Sequence, residues 1–157
     1  MKFLTRWVVM AGACLLAASA IAQPMTVADV KYEETASVNG STLQLNGAGV
    51  RYKAVFKVYT AGLYLEKKAG TPADVMALKG PKRMSITMLR EIDSTELGKL
   101  FSRGMEDNMD RAAFSRLIPG VLRMSQIFSD HKKLVAGDQF QIDWIPGTGT
   151  VITVKGK

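Results

Sequence analysis

The chain has 157 residues, with 21 Lys or Arg against 14 Asp or Glu and a formal charge of +7. At about 100–200 residues per domain this is one domain, and 47% hydrophobic with 22% charged residues exclude a disordered chain. A single cysteine, Cys14, and a single histidine, His131, exclude an internal disulfide, a cysteine-based zinc site and a two-histidine metal site within one chain.

Lys2 and Arg6 precede an uncharged, mostly apolar run, Trp7–Ala20. Ala20-Ile21-Ala22 then places small residues just before Gln23. That is the layout of a cleaved secretory signal, so residues 1–22 are set apart from the fold and 23–157 are taken as the domain. A membrane anchor needs about 20 apolar residues, more than this run supplies. A lipoprotein signal ending at Cys14 lacks the expected Leu in Ala11-Gly12-Ala13. Cleavage leaves 135 residues with no cysteine and, without Lys2 and Arg6, a charge of +5. Such a chain suits an oxidising compartment without using disulfides, and the short charged start reads as bacterial export to the periplasm.

Gln23–Asp29 reads as a short leader. Lys31–Val38 and Thr42–Leu45 flank Asn39-Gly40, the strongest short hairpin signal. Asn46-Gly47-Ala48-Gly49 reads as a second turn. Val50 to Glu66 reads as one long extended run, with Gly62 marking a bulge or a close approach. Thr71-Pro72 predicts an N-cap and a short helix to about Leu78, stopped by Gly80-Pro81. Arg83–Arg90 reads as a strand with Met84, Ile86 and Met88 on one face. Ser94 predicts an N-cap, and Leu97, Leu100, Phe101, Gly104 and Met105 follow at helical spacing. Pro119–Phe128 restarts a helix. Gln139–Ile145 and Thr150–Lys155 form a hairpin about Pro146-Gly147-Thr148-Gly149. The order predicts an α+β fold, an antiparallel sheet with helices on one face.

Arg51 and Tyr59 stand eight residues apart on extended structure, so an unbroken strand puts both on one face. A guanidinium and a phenol both donate hydrogen bonds and can grip a carboxylate or polarise a carbonyl. A surface Arg beside a packed Tyr is the plainer alternative. Asn108, seven residues after Phe101, lies on the same helix side and can add a polar group, or is simply exposed. Met84, Met88, Met105, Met109 and Met124 can line a soft apolar pocket or fill a core. His131 with Met124 could ligate haem iron, but no second His is present and a polar loop is the plainer reading. Basic residues are scattered in pairs, with no groove-reading helix and no aromatic stripe, so no nucleic-acid partner is implied.

Leu45-Asn46-Gly47-Ala48-Gly49-Val50-Arg51 and Lys57-Val58-Tyr59-Thr60-Ala61-Gly62-Leu63-Tyr64-Leu65 resemble the chalcone isomerase-like family. So do Phe101-Ser102-Arg103-Gly104-Met105-Glu106-Asp107-Asn108 and the segment from Gly137-Asp138 to Thr150, as in its exported bacterial branch. The resemblance covers about Val30 to Lys157. It implies an open-faced β-sandwich, a curved antiparallel sheet under helices with a ligand cleft between. The plant enzymes close a chalcone to a flavanone. Their Arg position matches Arg51 and their helical Asn matches Asn108. Tyr59, Phe101 and Gly104 stand where those enzymes have Thr, Tyr and Lys. Losing a hydroxyl and a cation removes donors that stabilise the developing enolate. Arg51 with Tyr59 resembles instead the non-enzymatic branch, which holds a fatty-acid carboxylate with an Arg and a Tyr. Relatives continue into a helical tail after the final hairpin, where this sequence stops at Lys157.

The expected function is a periplasmic protein that binds a small amphipathic, carboxylate-bearing ligand without catalysis. Arg51 and Tyr59 would hold the head group, beside Asn108, with Phe101, Met84 and Met88 against the tail. The alternatives are an isomerase (intramolecular lyase) on an enone-like substrate, using Arg51, Tyr59 and Asn108, and an interaction protein with a vestigial cleft. No cofactor, metal or lasting membrane anchor is implied.

Overall fold

The computed structural model describes residues 24–156. The expected signal segment, residues 1–22, lies outside them. The chain opens with a hairpin, β1 (Met25–Val27) and β2 (Val30–Tyr32), turned by Ala28 and Asp29 at positive φ. From Met25 on, the expected leader is thus a strand and its turn. β3 (Thr35–Val38) and β4 (Ser41–Lys53) are joined by Asn39 and Gly40, whose φ of 48° and 79° suit a tight two-residue hairpin turn. β5 (Phe56–Leu65) leads to α1 (Pro72–Ala77), capped by Thr71, which accepts from the Asp74 amide. β6 (Lys82–Met88) and the short β7 (Ile92–Asp93) precede α2 (Ser94–Asp107) and α3 (Arg111–Ser129). β8 (Lys133–Leu134), β9 (Gln139–Ile145) and β10 (Gly149–Val154) finish the chain.

Six strands form one antiparallel sheet in the order β10-β9-β6-β5-β4-β3, curled into a half-barrel with helices against one face. The fold is the α+β arrangement expected. Side-chain alternation and the register assign the faces. Tyr59, Ala61 and Leu63 pair with Met88, Ile86 and Met84, and Ile86 and Met84 pair with Phe140 and Ile142. This face packs Ile86, Met88, Phe140 and Val154 against Leu97, Val121, Met124 and Phe128 of α2 and α3. The opposite face carries a smaller cluster, where Tyr32, Leu43, Leu45 and Tyr64 pack beneath the β1–β2 hairpin.

Four local expectations are corrected. Asn46-Gly47-Ala48-Gly49 is no turn: β4 runs through it, and the register slips by one at Asn46, a β-bulge. The Asn46 amide is used outside the sheet, donating to the Ala69 carbonyl at 3.1 Å and accepting from the Ala69 amide at 2.8 Å. Second, Val50–Glu66 is not one strand. Lys53 pairs with Phe56 across a two-residue turn, Ala54-Val55, with Ala54 at φ 53°. Third, α2 is capped by Asp93, whose carboxylate accepts from the Thr95 and Glu96 amides at 2.9 and 3.0 Å. Ser94 lies one residue inside, buried, its hydroxyl without a partner. Fourth, α3 starts at Arg111 under an Asp110 cap and carries Pro119 in its interior. Pro119 and Ser115 are both exposed, so the carbonyl that Pro119 leaves unpaired can meet water.

Gly62 answers the choice posed at that position. It pairs with both Ala48 and Ser85 without a register shift, so it is no bulge. A Cβ there would come within 2.6 Å of the Tyr32 ring, so the glycine is needed for a close approach. No helix of the described residues is long and apolar enough to cross a membrane.

Candidate ligand-binding cleft

Between the curled sheet and α2 lies a cleft of about 1120 Å³. Its sheet wall is Arg51, Tyr52, Lys53, Ala54, Val58 and Tyr59. Its helix wall is a stripe of α2, Leu97, Leu100, Phe101, Gly104, Met105 and Asn108, spaced three and four apart and hence on one face. Ile92 and Asp93 close one end.

Arg51 and Tyr59 do come together, by a different route from the one expected. They lie on adjacent antiparallel strands as direct register partners, because the chain turns back at Ala54-Val55. Opposed residues of neighbouring strands share a face, so both point to the helix side. Between Arg51–Tyr59 and Tyr52–Lys57 the register slips again, leaving Val58 as an extra residue in β5. A bulge turns two successive side chains to one side. Val58 accordingly sits buried in the floor while its neighbour Tyr59 also lines the cleft.

Tyr59 is half-buried, and burial pushes its phenol above the ordinary tyrosine range, partly offset by the Arg51 cation. At neutral pH the group is therefore an O–H, a donor and not a base. Arg51 is exposed and makes no hydrogen bond or ion pair among the described residues. Arg51 thus stands at the mouth as a surface arginine beside a partly packed tyrosine, free to take an anion.

Phe101 is half-buried and forms the apolar wall. It stacks on Phe128 at 5.9 Å and meets Phe140 edge-on at 5.8 Å, so a core cluster fixes its ring. Asn108 is exposed at the far end, where its amide donates to the Gly104 carbonyl at 2.8 Å and caps α2. Its side-chain oxygen is the group left for a ligand. Met84 and Met88 lie on the same sheet face but do not line the cleft. Met88 is 1% exposed in the main core and Met84 packs against that core. Met105 and Met109 line the cleft instead, and Met124 is core.

Sequence reasoning missed the charged rim. Lys53 donates to Glu96 at 2.9 Å and ties the β4–β5 tip to the start of α2. Arg90 lies 5.2 Å from the Phe56 ring centroid. Neither carried a signal beyond its charge, since the hairpin that brings them to the cleft was not foreseen. Among the described residues the best-buried ion pair lies on the other face: Arg83 grips Asp143 with two hydrogen bonds of 2.7 and 2.6 Å. Among the described residues no three metal-ligating side chains cluster.

A cleft between a curled antiparallel sheet and a covering helix, with a polar pair at the mouth and an apolar floor, describes a chalcone isomerase-like protein. The family model described as chalcone isomerase-like matches residues 24–157, and the chain belongs to that family. Among solved structures, the chain is similar to the crystal structure of a fatty-acid binding protein of Arabidopsis thaliana. The TM-score is 0.69 at 15% identity, over 86% of this chain and 79% of that one, a likeness of fold. No curated protein matches.

Proposed function

We propose that the protein binds a small amphipathic ligand with a carboxylate head, of the fatty-acid class, and does not transform it. The observation that carries this reading is the Arg51–Tyr59 register pair at the mouth of an apolar cleft. The guanidinium supplies charge and two parallel donors, and the neutral phenol supplies a third. The tail would lie along Val58, Leu97, Phe101 and Met105. The structural neighbour is named a fatty-acid binding protein, which supports the same ligand class. The cleft offers little for enone chemistry. Phe101 has no hydroxyl, Gly104 has no cation, and Tyr59 holds its proton.

The protein would act in the periplasm. Lys2 and Arg6, the apolar run and Ala20-Ile21-Ala22 support export, with the mature chain starting near Gln23. Native mass spectrometry of protein taken from the periplasmic fraction tests both parts. A mass lacking residues 1–22 and a bound long-chain acid are expected. A ligand-free protein that also fails to bind added fatty acids would overturn the binding reading. Stereoselective turnover of a chalcone, abolished by Arg51→Ala, would overturn the non-catalytic one.

A further inference from the structure

The β4–β5 turn is built against ordinary practice for a surface turn. Its two residues are Ala54, at φ 53°, and Val55, and neither is a turn former. Val55 is 82% exposed, Phe56 59% and Tyr52 49%. Val55 and Phe56 thus project from the hairpin tip, and by register Tyr52 is exposed beside them on its other face. Around them stand several cations, with Glu91, Asp93 and Glu96 at the adjoining cleft rim. The segment from Arg51 to Lys57 holds Arg51, Lys53 and Lys57 and no carboxylate. Arg90 adds a fourth, set against the Phe56 ring. Of these, only Lys53 has a carboxylate partner among the described residues, Glu96. Tyr52, Lys53 and Ala54 also form part of the cleft wall, so the tip and the mouth are contiguous.

We propose that this tip docks on an anionic lipid bilayer. Val55 and Phe56 would enter the boundary between head groups and acyl chains, with Tyr52 at head-group level. Lys57 and Arg90 would contact lipid phosphates. Aromatic and aliphatic side chains favour that boundary, and clustered cations favour a negative surface. A protein partner would need its own apolar socket and acids to match. A bilayer supplies both over an unshaped surface, which suits a protruding tip better than a groove would. Docking would bring the cleft mouth to the membrane, where an amphipathic ligand is concentrated. That consequence rests on the ligand-binding reading; docking itself does not.

The test is sedimentation of the full chain with vesicles of phosphatidylglycerol and phosphatidylcholine, or of phosphatidylcholine alone. The N-terminal segment is common to every variant, so differences between variants report the tip. The wild type should bind the anionic vesicles at least about tenfold more tightly than neutral ones, and lose that preference at high salt. Val55→Glu/Phe56→Glu should weaken binding to anionic vesicles at least about tenfold. Lys57→Glu should weaken it and flatten the salt dependence. Val55 and Phe56 do not line the cleft, so fatty-acid titration without vesicles should be unchanged in the double variant. That titration reports the cleft separately. Equal vesicle binding by wild type and double variant would overturn the proposal. So would a tip that drives self-association, seen as a dimer lost in the double variant, with no vesicle binding.

Discussion

The Arg51–Tyr59 pair is open to a double-mutant cycle read by titration of a long-chain fatty acid. Arg51 is exposed and has no partner among the described residues, so Arg51→Ala leaves no buried partner behind. The loss in affinity should then be that of a charge-assisted hydrogen bond, about 1.5–3 kcal/mol, or roughly 10- to 150-fold in Kd. It should fall short of the larger losses seen when one member of a desolvated charge pair is removed. Tyr59→Phe removes one neutral donor, worth about 0.5–1.5 kcal/mol, or roughly 2- to 12-fold. Because the two residues are register partners aimed at one head group, the double variant should lose less than the sum. A coupling of about 0.5 kcal/mol or more is expected. Arg51→Lys should recover only part of the loss, since an ammonium cannot make the two-pronged contact. Folding stability should barely move in Arg51→Ala, within about 0.5 kcal/mol, as for other exposed sites. Affinities within twofold across all four variants would refute the argument and leave the pair as surface decoration.

Gly62→Ala should destabilise by about 1–3 kcal/mol, visible as a lower Tm. The new Cβ would sit 2.6 Å from the Tyr32 ring, which cannot swing away because it is 3% exposed and its hydroxyl donates to Thr60 at 2.7 Å. Arg83→Ala should cost about 3–5 kcal/mol in urea denaturation, because it strands the buried Asp143 carboxylate; Arg83→Met with Asp143→Leu should recover most of that. Stability should also fall on the alkaline side. Burial raises Tyr32, Tyr59 and Tyr64 above the ordinary tyrosine range, so the unfolded chain gives up these protons first. Fewer protons bound in the unfolded state means that stability is full below the ordinary value and is lost as pH rises through the folded ones. The urea midpoint should therefore drop above about pH 10, less steeply in Tyr59→Phe; a flat midpoint would contradict this.

Element order and class were legible because they rest on strong local chemistry. Asn39-Gly40 names its own turn, Thr71-Pro72 its own cap, and the spacing of Leu97, Phe101 and Met105 its own helix face. The two strand failures share one cause. Gly47 and Gly49 advertise a turn that the strand overrides by pairing with Leu63 and Ala61. Ala54-Val55 advertises a strand, yet the chain turns there because Lys53 and Phe56 must pair. Long-range pairing decided both, and a single sequence does not display it. The Arg51–Tyr59 alignment survived because its supporting number, an even spacing on one strand, happened to agree with a cross-strand register. Met84 and Met88 were misplaced for a related reason. Period two assigns their face of the sheet but not how far along it the cleft extends.

The two register slips explain why there is a cleft at all. A flat sheet under α2 would pack as the rest of the helical face does, with Leu100 pressed onto the strands instead of exposed. Asn46 inserts a residue in β4 and Val58 inserts one in β5, on adjacent strands and on either side of the Arg51–Tyr59 pair. Each bulge raises the local twist and bends its strand. Together they bend the β4–β5 end of the sheet, while β6, β9 and β10 stay packed beneath the helices, where Ile86, Met88 and Phe140 are buried. The opening therefore falls at the end of the sheet that carries Arg51 and Tyr59. The Asn46 side chain holds its bulge by bonding to Ala69, beyond the sheet edge, and so fixes the curl independently of any ligand. On this account the cleft is preformed, and its polar pair is placed by backbone irregularities on the two strands that face α2 across it.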